Sequence, residues 1–250
     1  MLRSIAMIFL LAMPVGAEEV VAGLSQTRVA ISTTFSGSEI LIFGAVKREA
    51  AIPEDPLEVI VTVSGPSAPV VVRKKDRRFG IWINTEAVEV DAAPSFYSVS
   101  TSATWPNVLS NVEDLRHKVS VQQAIRSVGA PPGITDAERF TDALIRIREA
   151  QRLYETRIAS VKFTEATLFE TSVALPANLT EGTYIARFLL TRNGRVVDIH
   201  EEAINVTKVG LERFLFTLSR EQPLIYGLLS LAIAIFAGWG ASAIFRYIRG

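Results

Sequence analysis

The chain has 250 residues, 49% of them hydrophobic, enough for one large or two small domains with a real core. Its 26 basic and 26 acidic residues cancel, which leaves no global field for nucleic acid, so any electrostatic partner must be met locally. Cysteine is absent, and with it disulfides, thiolate zinc sites, haem attachment and iron–sulfur clusters; an exported domain without disulfides reads as bacterial.

At the N-terminus, Arg3 precedes an apolar run from Ile5 to Met13, then Pro14 and Val15-Gly16-Ala17. This is the pattern of a secretory signal peptide, and the run is too short for a permanent span. Residues 1–17 are expected to be removed after Ala17.

From Arg28 to Thr104 short runs rich in valine, isoleucine, phenylalanine and threonine alternate with turn residues such as Ser36-Gly37 and Gly65-Pro66. Many short strands at this spacing predict a β-sandwich. Between two of them Arg73, Lys74, Lys75, Arg77 and Arg78 surround Asp76 in a predicted turn. Such a cluster can hold an anion, meet lipid headgroups or an acidic protein surface, or simply solvate a hairpin tip. Trp82, in Phe79-Gly80-Ile81-Trp82-Ile83-Asn84, is either the main aromatic of the core, the favoured role, or an anchor for a partner.

Over about 105–159 the apolar period lengthens toward 3.6. Val112, Leu115, Val119, Ile125 and Val128 predict one helix, ended by Gly129 to Gly133. Thr135-Asp136-Ala137-Glu138 reads as a capping box opening a second, with Phe140, Leu144, Ile147, Tyr154 and Ile158 as its apolar side. Together they predict a helical hairpin packed on the sandwich.

Strands resume from Ser160 to Val206, with Asn193-Gly194 as a strong two-residue hairpin signal. Leu175-Pro176 through Gly182-Thr183-Tyr184 has the look of the strand–turn–strand end of an immunoglobulin-like sandwich. Residues 18–208 are thus read as one β region with a helical insertion. Pattern does not decide between one interrupted sandwich, the favoured arrangement, and two subdomains.

Leu211, Phe214, Leu215 and Leu218 share one side of 209–222, which reads as an amphipathic juxtamembrane segment or equally as a continuation of the helix that follows. Leu224 to Phe245 then holds no charged residue, so 223–245 is predicted to span a bilayer. Tyr226 and Tyr247 suit the headgroup levels, and Arg246 and Arg249 place the tail, 246–250, in the cytoplasm. The expected location is a bacterial inner membrane, with the N-terminal domain in the periplasm. Ala234, Gly238 and Ser242 recur every fourth residue and form a face that lets another helix approach, although small residues are common in such helices in any case.

No nucleophile elbow, phosphate loop or zincin motif is present. His117 and His200 are the only histidines, and His200 shares a strand face with Glu202. The chain is therefore expected to be no enzyme and to need no metal or cofactor.

At Gly80-Ile81-Trp82-Ile83-Asn84, Pro94-Ser95-Phe96-Tyr97 and Leu175-Pro176-Ala177-Asn178-Leu179 to Tyr184, the chain resembles the alphaproteobacterial transmembrane-protein family Alph_Pro_TM over nearly its whole length. The resemblance carries no functional residue. It implies a companion of TauE/SafE-type sulfite exporters, and so a non-enzymatic accessory role in anion or sulfur-compound export. The alternative is a free-standing envelope sensor or binding module for a small anion or glycan.

Overall fold

The computed structural model describes residues 18–32, 35–48, 52–53, 55–127, 136–165, 167–210, 215 and 218–249, with side chains to Ala241 in the last helix. The signal peptide and its cleavage point, the Gly129 to Gly133 break, Thr135, and Leu211 and Phe214 lie outside the described residues.

Two sheets make a sandwich. One has the order β1 (Glu19–Leu24), β3 (Ser38–Lys47), β10 (Leu168–Leu175), β9 (Lys162–Thr164). The other runs β2 (Arg28–Ile31), β12 (Arg195–Lys208), β11 (Gly182–Arg192), β4 (Leu57–Ser64), β7 (Tyr97–Thr101), β8 (Tyr154–Arg157). This order is consistent with the A-B-E-D and G-F-C sheets of an immunoglobulin-like sandwich. Both halves of the sequence enter both sheets: β3 pairs with β10, and β4 with β11.

Alternation explains the inner faces. In β10, Phe169, Thr171, Val173 and Leu175 are buried and point the same way. Phe169 meets Phe188 of β11 across the gap, ring centroids 6.1 Å apart. In β4, a central strand between β11 and β7, the run Val59 to Val63 is buried on both faces, and the short helix Trp105–Val108 packs against the strand.

Two local signals are realised. Asn193 and Gly194 have φ of 50° and 73°, the left-handed pair that a tight hairpin needs. The turn between β10 and β11 is the second: Tyr184, at the start of β11, donates its hydroxyl hydrogen to the Thr180 carbonyl at 2.8 Å, which is consistent with a tyrosine corner.

Gly44 is required for a packing reason. A Cβ there would run into the Phe169 ring and lie 2.8 Å from the Val21 carbonyl oxygen. Gly44→Ala is therefore expected to cost about 2 kcal/mol as an overpacked site. Urea unfolding of the full chain in mild detergent checks this, with Gly23→Ala as a comparison, where only the Phe43 ring edge must yield.

The helical insertion corrects the predicted hairpin. In place of one helix over Val112 to Val128 the described residues hold two short ones, α2 (Asn111–His117) and α3 (Val121–Ala124), preceded by a third, α1 (Trp105–Val108). Ser110 and Ser120 each open a new helix by accepting from the amides of Glu113 and Gln123, while Lys118, with φ of 52°, ends α2. Val112 and Leu115 are exposed; the buried residues of α2 are Glu113 and Asp114. Both carboxylates serve the backbone. Asp114 Oδ1 accepts from the amides of Val119 and Ser120, and Glu113 accepts from Val196 N–H of β12 and pairs with Arg116 and His117. Burial pushes the Glu113 carboxyl up, yet the Val196 amide, Arg116 and His117 together outweigh it and hold it below the usual range.

The next helix, α4 (Ala137–Ala150), ends eight residues before Ile158, because the chain turns at Arg152, φ 58°, and enters β8. Its Phe140 and Leu144 are buried, and it packs on β8 and on two further strands, β5 (Ser67–Arg78) and β6 (Ile81–Pro94). Tyr154 belongs to β8, where its hydroxyl donates to the Pro94 carbonyl at 2.7 Å and burial pushes it up to about 12.

Candidate interaction surface

β5 and β6 form a two-stranded ribbon of their own. At its base Val72, Val88 and Val90 are buried under α4. A cleft of about 420 Å³ between α4 and the ribbon is lined by Arg73, Lys74, Arg139 and Arg146, and also by Glu86 and Asp136. Beyond Lys74, which pairs with Glu86 at 3.2 Å, the strands continue as a free arm.

The five cations predicted in a turn lie instead along the strand β5, and all are exposed. The turn is one step further on, at Phe79-Gly80, because Arg78 pairs with Ile81 and leaves a two-residue loop. Both loop residues have positive φ, 52° and 85°, as a type I′ turn demands. Phenylalanine is a poor choice there. The left-handed region costs a residue with a Cβ about 1–2 kcal/mol, and asparagine would fit better.

Trp82 is not in the core. It is 68% exposed, with Ile81 at 64% and Phe79 fully exposed. Ile81 and Ile83 point to one side of the ribbon and Trp82 to the other, yet all three are exposed, so the tip buries neither face. A strand pattern predicts burial only if something covers the strand, and nothing described covers this one. The signal in the sequence is the abrupt junction of Lys-Lys-Asp-Arg-Arg with Phe-Gly-Ile-Trp-Ile.

The register places Trp82 opposite Arg77, Ile81 opposite Arg78 and Asn84 opposite Lys75. Asp76 accepts from the Arg77 amide at 2.8 Å. Among the described residues Lys75, Arg77 and Arg78 have no carboxylate partner within salt-bridge distance.

Other candidates are quieter. His200 Nε2 and Glu202 Oε1 are 3.3 Å apart on a half-exposed strand face, and the His200 ring lies against Phe188. Among the described residues no three histidine or carboxylate side chains converge as a metal site would require.

A second cluster had no sequence signal. Glu18, just before β1, receives Arg48 Nε at 2.7 Å and lies 2.7 Å from Arg192 Nη2, with its side chain 5% exposed. Arg48 follows β3 and Arg192 ends β11, so one carboxylate ties the two sheets together. Burial pushes its pKa up, but the two guanidinium groups prevail and hold it below the ordinary carboxylate value.

The last helix, α5 (Pro223–Arg249), is apolar on every side from Pro223 to Ala241, with mean hydropathy 1.9 and none of that stretch covered by the rest of the chain. Ala234 and Gly238 are exposed on it, while the Ser242 side chain lies outside the described residues. Residues 19–247 match the family model described as "Putative transmembrane protein (Alph_Pro_TM)". The chain belongs to this family. A search of curated proteins finds no match. This Alph_Pro_TM protein is thus a mainly β membrane protein with one candidate transmembrane helix near its C-terminus. The five arm cations and the Ala234-Gly238 stretch belong to separate elements, β5 and α5.

Proposed function

We propose that this Alph_Pro_TM protein is a non-enzymatic accessory subunit of a polytopic membrane transporter, in anion export of the TauE/SafE sulfite type. Its sandwich stands in the periplasm, α5 crosses the inner membrane, and Arg246 to Gly250 face the cytoplasm. The observation that carries this reading is α5, a helix long enough to span and uncovered along its apolar length. Helix packing in lipid relies on close approach rather than on apolar burial, and Ala234 and Gly238 offer that approach; Ser242 extends the series in sequence. The basic residues after the span support the orientation by the positive-inside rule.

Purification of the full chain from its native membrane in mild detergent, followed by mass spectrometry, tests the subunit reading. The expected result is a co-purifying polytopic protein that is lost with Gly238→Leu; recovery only as a lone chain would overturn it. The second reading, a free-standing sensor or binding module, is favoured by the exposed arm. It predicts that a chain ending at Thr207 still binds a small anion or glycan without α5.

A further inference from the structure

We infer that the β5–β6 arm is a membrane-contact element, whose tip residues Phe79, Ile81 and Trp82 enter the headgroup layer of a bilayer while Lys75, Arg77 and Arg78 engage anionic lipid phosphates. Four observations converge on it. The tip shows an exposed apolar side chain on each face of the ribbon, Ile81 on one and Trp82 on the other. A protein groove would have to enclose it from both sides, whereas a headgroup layer surrounds such a wedge without a matching shape.

The turn itself is the second. Phe79 sits in a left-handed conformation that disfavours it, fully exposed, where asparagine would make the stronger hairpin. An aromatic kept at a strained, solvent-facing position is of use outside the folded domain. Third, the pairing register sets a cation across from Trp82 and another across from Ile81, the arrangement of aromatic anchors beside phosphate-binding arginines at lipid interfaces. Fourth, α5 is part of the same chain, so lipid is present at high effective concentration. The inference requires the span, not the transporter.

The test uses the full chain with Trp105→Phe and Trp239→Phe, which leaves Trp82 as the only one of its three tryptophans. It is reconstituted alone in vesicles of equal parts phosphatidylcholine and phosphatidylglycerol, with or without brominated acyl chains. Trp82 emission is expected to shift to the blue and to be quenched by bromine. Replacing Lys75, Arg77 and Arg78 by serine is expected to weaken insertion about fivefold for each cation removed. Phe79→Asn is expected to reduce quenching while the melting temperature holds or rises, which separates lost lipid contact from lost folding. Water-like, unquenched Trp82 emission in brominated vesicles would overturn the inference. So would shielding of Trp82 from iodide only when a second membrane protein is present, which would assign the arm to a protein.

Discussion

Glu18→Gln is expected to lower the stability of the full chain at neutral pH by about 3 kcal/mol, because it leaves two guanidinium groups facing each other without their carboxylate. Removing one partner of a buried pair is the costly case. Replacing Glu18, Arg48 and Arg192 together by apolar residues of similar volume is expected to cost less than Glu18→Gln alone, since no stranded charge remains. The pH dependence has a definite sign. The folded pKa of Glu18 lies below its ordinary value of 4.5, so its contribution is complete above that value and is lost as the pH falls through the lower folded one. The wild type should therefore lose stability on acidification below about 4.5 more steeply than the Gln variant, and the gap between the two should narrow. Urea titrations in mild detergent from neutral to acid pH measure both; parallel pH profiles with a gap under about 1 kcal/mol would show that this trio does not close the sandwich.

The second large effect concerns the anchor. Ile233→Arg places a cation near the middle of the uncharged stretch, where insertion scales assign a cost of about 3 kcal/mol. That is enough to move much of the protein out of the carbonate-resistant membrane fraction, whereas Ile233→Leu should stay in it. Equal resistance of the two variants would show that α5 is not what holds the chain to lipid. The Arg variant is also expected to leave the urea midpoint of the sandwich unchanged, since the apolar stretch of α5 is not packed on the domain.

Much of the architecture was legible because it is written locally. Asn193-Gly194 announces its hairpin through backbone freedom, and Leu175-Pro176 through Tyr184 announces the turn between β10 and β11. Strand runs such as Leu57 to Ser64 are legible from composition alone. The helical insertion was misread because apolar spacing is informative only when the helix has one dry face. In α2 the amides of the following loop hold Asp114 inward and the Val196 amide of β12 holds Glu113 inward, so Val112 and Leu115 are turned outward. The arm was half legible. Its cations are plain in the sequence, but a ribbon that leaves the sheet and one that stays in it have the same alternation, so alternation favours the core for Trp82, which is exposed. Glu18, Arg48 and Arg192 could not be found at all, since their meeting depends on the sandwich topology and on no motif.

The strand order has a further consequence for how the molecule is made. β2 runs parallel to β12, with Arg28 beside Asn205, and β4 sits between β7 and β11. The first sheet is complete only once β10 ends at Leu175, and the second only once β12 ends at Lys208, near the end of the chain ahead of α5. Such a high contact order predicts slow assembly, in which a β-rich, partly paired precursor persists until its final strand arrives.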